Sequence, residues 1–90
     1  MRVRNSRSWE TSTAPARAQL GRAEEQLREL IARDPSDHYA HHVLGRTLER
    51  LGRPAQALRH LRLAAAMRSE HSDYLAALRR VETLVNGRAS

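Results

Sequence analysis

Residues 34–61 read DPSDHYAHHVLGRTLERLGRPAQALRHL, which is two helix-forming runs set between short breaks. Pro35 disfavours helical backbone at the residue before it, and the Ser and Asp that follow are good N-capping residues. Gly52 suits the left-handed residue that ends many helices, and Pro54 suits the first turn of the next. The stretch therefore predicts two consecutive antiparallel helices, over about 38–51 and 54–68.

Apolar side chains recur in both runs every three or four residues, which is the period of an amphipathic helix. The first run carries this face on Ala40, Val43, Leu44, Thr47, Leu48 and Leu51. The second run carries it on Ala57, Leu58, Leu61, Ala64 and Ala65. The two faces predict a shared core between the helices.

The same period extends outward in both directions. Pro15 is expected to open a helix over about 15–33, and Ser72 to cap a last helix that Asn86-Gly87 closes. Their expected apolar faces are Leu20, Ala23, Leu27, Leu30 and Ile31 in the one and Leu75, Leu78, Val81, Leu84 and Val85 in the other. We predict one all-α domain of four antiparallel helices over residues 15–87.

The ends of the chain lack this period. Residues 1–14 are basic and rich in Ser and Thr, so we expect a disordered or frayed tail there, and a second short disordered tail at 88–90. No 18 apolar residues run together, and the amino terminus has no apolar signal-peptide stretch. These features predict a cytoplasmic protein without a membrane segment.

The charge balance invites a nucleic-acid interpretation, because the chain carries a net charge of +6 and a pI near 11.4. All sixteen basic residues are Arg, however, and they are interspersed with ten acids instead of forming a basic block. Nucleic-acid binding therefore ranks below protein binding. The absence of Cys excludes disulfides and thiol chemistry, and no phosphate-binding loop or nucleophile motif occurs, so we predict no enzyme activity and no cofactor.

An internal repeat gives the helices an order. Shifting the chain by 34 residues places Leu27 on Leu61, and Leu44 on Leu78. With Leu44-Gly45, Ala57 and Pro35 at the expected positions, the chain resembles the tetratricopeptide repeat (TPR) family, as one full repeat flanked by two half-repeats. The structural repeat positions that this resemblance assigns are Ala23, Leu27, Pro35, Leu44, Gly45, Leu48, Ala57 and Leu61. A generic four-helix bundle remains the alternative.

The resemblance implies a stacked α-α superhelix that binds a peptide or protein on its concave face. The face residues that it implies are Tyr39, His42, Arg46, Glu49, Arg50, Asp73 and Arg80. Arg46 and Arg80 are expected side by side, and an arginine pair suits a carboxylate of an acidic partner. Alternatively, the two arginines are solvated surface charges that pair with Glu49 and Glu82.

Three histidines in the first run raise the question of a metal. His38 and His42 lie one helical turn apart, the spacing that can place two imidazoles on one metal ion, but no acid follows as in a zinc protease motif. We therefore predict no metal site. His41, where the family has an aromatic residue, is expected to pack between helices, and the other two are expected to face water.

The end helices suggest a second function class. Fewer than three repeats leave apolar edges uncovered, so the chain is expected to form a homo-oligomer or to dock on a larger partner. The edges comprise Leu20, Leu27 and Leu30 at one end and Leu75, Leu78 and Val85 at the other. The alternative to a peptide-binding adaptor is thus a self-assembling structural module.

Overall fold

The computed structural model describes the backbone of residues 8–89 and the side chains of residues 16–87. It contains four helices and, within this part of the chain, no strand, which confirms the all-α prediction. The helices are α1 (Ser8–Arg33), α2 (His38–Arg50), α3 (Pro54–Met67) and α4 (Ser72–Ala89).

Helix α1 begins earlier than its sequence predicts. It starts at Ser8, so that residues 8–14, expected to belong to the tail, are helical, and residues 1–7 lie outside the described part. Pro15 consequently sits inside the helix and not in its first turn, where it removes one backbone donor from the helical ladder. The prediction was wrong here because it gave the proline its commonest helical position.

The turn from α1 to α2 is held by three short polar side chains. The Asp34 carboxylate accepts hydrogen bonds from the Ser36 backbone N–H at 3.1 Å and from its hydroxyl at 2.6 Å. These two hydrogen bonds lower the pKa of Asp34. Asp37 then caps α2 by accepting from the Ala40 N–H at 3.0 Å, which satisfies one of the free donors of the first turn.

The turn from α2 to α3 follows the predicted punctuation. Gly52 has φ +80°, a left-handed conformation that side chains with a Cβ adopt at a cost, and its N–H bonds to the Glu49 carbonyl at 3.0 Å. Pro54 occupies the first turn of α3, where its missing N–H would be unpaired in any case. The turn brings the two helices back against each other.

Gly45 marks the closest approach of α2 and α3. A Cβ built on Gly45 would lie 2.6 Å from the Leu61 side chain and 3.3 Å from the Ala57 carbonyl oxygen, so the crossing depends on the absence of that atom. The side chains around it, Leu44, Leu48 and Leu61, are fully buried. Val81 of α4 joins this core, and Leu27 and Ile31 of α1 pack against it from the other side.

Helix α4 is rotated relative to its predicted apolar face. Its fully enclosed residues are Tyr74, Ala77 and Val81, whereas Leu84 is 45% exposed. The remaining expected residues, Leu75, Leu78 and Val85, are partly buried and pack along the margins of the core. The prediction weighed the large leucines and passed over a small alanine and an amphipathic tyrosine, which pack more closely against α2 and α3.

The predicted close of α4 at Asn86-Gly87 is also wrong. The helix runs on to Ala89, and among the described residues Gly52 is the only glycine with a positive φ. Residues 88 and 89 of the predicted carboxyl-terminal tail are therefore helical, and Ser90 lies outside the described part. None of the helices described is both long and apolar enough to cross a bilayer.

Candidate partner-binding face

The predicted binding stripe lies along α2, which projects residues three and four positions apart onto one side. Tyr39 is 64% exposed, and Arg46 and Arg50 are exposed as well. His42, which the same spacing places between Tyr39 and Arg46, is buried. The stripe therefore presents one aromatic ring and two guanidinium groups to solvent, with an imidazole enclosed beneath them.

Arg80 of α4 reaches α2 through an ion pair. Its guanidinium donates to Glu49 in a two-pronged contact, with N–O distances of 2.7 Å and 3.0 Å. The hydrogen bonding from Arg80 lowers the pKa of Glu49, and the same contact raises the pKa of Arg80. The Arg80 charge is thus matched by a carboxylate from the neighbouring helix, which is the pairing that the alternative of solvated surface charges predicts for Glu49.

Arg46 has no such partner. It forms no ion pair with any side chain between residues 16 and 87, and neither does Arg50. Glu82, the other acid that could have neutralised this surface, lies 4.0 Å from Arg62 of α3 instead. The α2 side of the face therefore carries two exposed arginines outside ion-pair distance of any acid in this range, and both lie near enough to Glu49 to lower its pKa. Of the predicted face acids, the exposed Asp73 also forms no ion pair within residues 16–87.

A cluster of rings connects the start of α2 to the start of α4. The Tyr74 ring stacks on His71 at a centroid distance of 3.8 Å and on His42 at 4.5 Å. The Tyr74 hydroxyl lies 2.8 Å from Nδ1 of His38, whose Nε2 accepts from Arg68 at 3.2 Å. Burial raises the pKa of Tyr74, so the phenol stays protonated. Because Nε2 of His38 accepts from Arg68, its Nδ1 carries the ring proton and donates to the Tyr74 hydroxyl.

The sequence prediction missed Tyr74 and misplaced His42. The expectation that His38 and His42 face water is wrong for His42, which is 7% exposed, and His38 is half-buried. The Tyr74-Ala77-Val81 spacing of three and four residues is the signal that could have indicated this buried face. The sequence does not show that the histidines of α2 will stack on the distant Tyr74 and not on another ring.

The environment of His42 opposes a positive charge on its ring. Burial lowers its pKa, and the positive charge of Arg46 lowers it further, with smaller contributions from His71 and Arg80. Asp73 acts in the opposite direction. Of the two ring nitrogens, Nδ1 is enclosed without a hydrogen-bond partner. His42 is therefore neutral near pH 7 and incompletely hydrogen-bonded.

His41 packs between helices, as expected for the aromatic position of the resemblance. Its Nε2 lies 2.9 Å from the Pro35 carbonyl oxygen and its Nδ1 lies 3.1 Å from Nδ1 of His60 on α3. Since a carbonyl only accepts, Nε2 carries the proton, and Nδ1 of His41 accepts from His60. Nε2 of His60 is then a buried acceptor without a partner.

Two further findings concern metal binding and similarity to known proteins. The described residues contain no group of three or more His, Asp or Glu side chains placed to hold a metal ion. In comparisons with known proteins, no family model, no curated protein and no solved structure matches the chain.

Proposed function

We propose that this chain is a non-catalytic interaction module that binds a peptide or protein partner along the face formed by α2 and α4. The observation that carries the proposal is Arg46, an exposed arginine that forms no ion pair within residues 16–87, while Arg80 is paired with Glu49. Exposed arginine and tyrosine side chains on a rigid helix are the residue types that contribute most to protein interfaces. The excess of positive charge favours an acidic segment.

The TPR-like architecture is part of this proposal. It is supported by the 34-residue register and by the order of contacts between the helices. Contacts between α2 and α4 advance in the same direction along both helices. His42 contacts Tyr74 near the start of each helix, and Glu49 contacts Arg80 further along. Contacts between α2 and α3 follow opposite directions, with His41 near His60 and Gly45 near Ala57. Successive helix pairs in a repeat stack are related in this way.

The charge distribution favours a protein partner over nucleic acid. Five arginines lie in ion pairs with glutamates, which offset part of their charge: Arg28, Arg53, Arg62, Arg68 and Arg80. A nucleic-acid interface needs clustered free cations that displace counterions together. The unpaired arginines of the α2 stripe are too few for an extended phosphate track.

The test compares two charge reversals of equal size. Arg46→Glu changes the binding face, and Arg59→Glu changes an exposed residue of α3 that also lacks an ion pair among residues 16–87. Immobilised wild type and both variants are used to capture proteins from the native cell lysate, with capture quantified by mass spectrometry. We expect at least one protein to be retained by wild type and Arg59→Glu and lost with Arg46→Glu, at unchanged helicity.

The proposal fails if the proteins captured by wild type are captured equally by Arg46→Glu. Nuclease treatment and a salt titration distinguish protein binding from nucleic-acid binding. Capture that is abolished by nuclease and that falls steeply with salt would assign the face to nucleic acid.

Self-association is a second candidate, favoured by the apolar margin of α4. Leu84 is 45% exposed, and Leu75, Leu78 and Val85 are only partly buried on a helix that ends the described fold. Burying such a margin against a second copy would remove apolar area from water. This candidate needs no role for Arg46, which separates it from the first.

A further inference from the structure

His42 occupies an unusual position beneath the proposed binding face. Its ring is 7% exposed and stacks on Tyr74 with an interplanar angle of 25°, so α4 covers it from one side. Its Nδ1 is enclosed without a hydrogen-bond partner. The ring is therefore held in place by packing, with one nitrogen that no protein group satisfies.

Charged groups reach His42 from each element around it. Arg46 lies one turn further along α2, His71 lies in the turn before α4, and Asp73 and Arg80 lie on α4 itself. His38, on the same helix, is engaged with Tyr74 and with Arg68 at the end of α3. In the free protein burial lowers the pKa of His42, and the positive charges around it, which outnumber the single acid Asp73, lower it further.

We propose that this face binds an acidic peptide segment together with one proton, which His42 takes up at its ring. The inference rests on the proposed function and adds a pH response to it. A carboxylate that docks on the unpaired Arg46 brings negative charge one helical turn from His42 and offsets the cations that disfavour the imidazolium.

The direction of the pH response follows from linkage. If the bound carboxylate raises the pKa of His42 above its value in the free protein, the complex holds more protons than its parts between those two values. Binding therefore tightens as the pH falls through that window and gains nothing above it. Each unit of difference between the two pKa values gives about a tenfold increase in affinity.

The probe is a fluorescein-labelled peptide of alternating Asp, Glu and Gly residues, compared with the same peptide carrying Asn and Gln. Affinities are measured by fluorescence polarisation from about pH 8 to about pH 6, where the peptide carboxylates stay ionised and histidines titrate. We expect the acidic peptide to bind roughly tenfold more tightly at the lower pH. Calorimetry in buffers of different ionisation enthalpy should report proton uptake on binding.

Two variants assign the proton. His42→Phe keeps a flat ring against Tyr74 but cannot titrate, and it should remove the pH dependence of the affinity. His71→Asn removes the other imidazole stacked on Tyr74 and should leave the dependence in place. NMR titration of the His42 ring in wild-type protein, with and without peptide, measures the pKa shift directly and does not require the variants to fold.

The outcomes separate the two proposals. Failure of the acidic peptide to bind at any pH would remove the acidic partner and the proton coupling together. Binding that is lost in Arg46→Glu but independent of pH would support the face and overturn the coupling. A pH dependence that survives in His42→Phe, or a His42 pKa unchanged by the peptide, would overturn it as well.

Discussion

Nδ1 of His41 and Nδ1 of His60 lie 3.1 Å apart across the interface of α2 and α3. The Pro35 carbonyl fixes a proton of His41 on Nε2, so in the neutral pair Nδ1 of His41 accepts from Nδ1 of His60. Burial, with smaller contributions from His41, Arg28 and Arg59, lowers the pKa of His60 from 6.5 to about 4.

Acid should therefore destabilise the fold. The unfolded chain binds a proton at His60 below about pH 6.5, whereas the native state resists it until about pH 4, so stability falls as the pH falls through this range. The expected loss is up to about 3 kcal/mol, measured as the decrease in the free energy of unfolding by urea. His60→Asn, which keeps a neutral donor, should flatten the dependence.

His71 provides the matched control for that experiment because its side chain is exposed. His71→Asn should leave most of the acid sensitivity intact. An equally steep loss of stability in His60→Asn would show that the buried pair is not its source.

Gly45 and Gly21 form a second matched pair of sites. A Cβ at Gly45 would lie 2.6 Å from Leu61, which is fully buried and has no room to withdraw. We expect Gly45→Ala to destabilise the protein by about 1–3 kcal/mol through overpacking. Gly21→Ala, in α1 with no atom within 4 Å of the new Cβ, should stabilise it by about 0.5–1 kcal/mol. Thermal unfolding of both variants checks the contrast, and equal effects would contradict the close crossing.

Leu84 tests the self-association candidate. Leu84→Glu places a charge on a side chain that is 45% exposed, so the monomer fold should tolerate it while an interface would not. If α4 carries an interface, wild type should show a concentration-dependent mass in size-exclusion chromatography with light scattering, and this variant should be monomeric. Leu63→Glu, at a 41% exposed position of α3, is the control. Leu78→Asp is unsuitable because Leu78 packs against the core, and unfolding would mimic dissociation.

The helices were largely predictable because their boundaries are local. Asp37, Gly52 and Pro54 each act through their own backbone or the next turn, and α2 and α3 begin and end close to where these residues indicate. The two misplaced helix boundaries are at Pro15 and Gly87. Whether a helix continues through either residue depends on how favourable the helical turns on each side of it are. A helix can run through either residue at a cost that sequence alone does not balance.

The candidate binding face was less predictable because its key contacts join residues that are distant in the sequence. Spacing along α2 identifies Tyr39 and Arg46 as exposed neighbours on one side of the helix. Whether Arg80 is free or paired depends on Glu49, 31 positions away, and the burial of His42 depends on how α4 is rotated about its axis. Tyr74 and Ala77 are buried at the centre of that rotated face, and in the sequence neither stands out beside the larger leucines of α4.

The Arg80–Glu49 ion pair should contribute measurable coupling between α2 and α4. A double-mutant cycle with Arg80→Ala and Glu49→Ala is expected to give about 0.5–1 kcal/mol, since the contact is two-pronged and Glu49 is 21% exposed. The Arg68–Glu70 pair, at 3.5 Å and with both side chains more than half exposed, should give a coupling close to zero. Because Arg80 lowers the pKa of Glu49, the stabilisation is present above the carboxyl's unfolded pKa of 4.5 and is lost as the pH falls through its lower folded value. Equal coupling in the two pairs, or a value unchanged by high salt, would mean that the Arg80 contact does not hold α4 against α2.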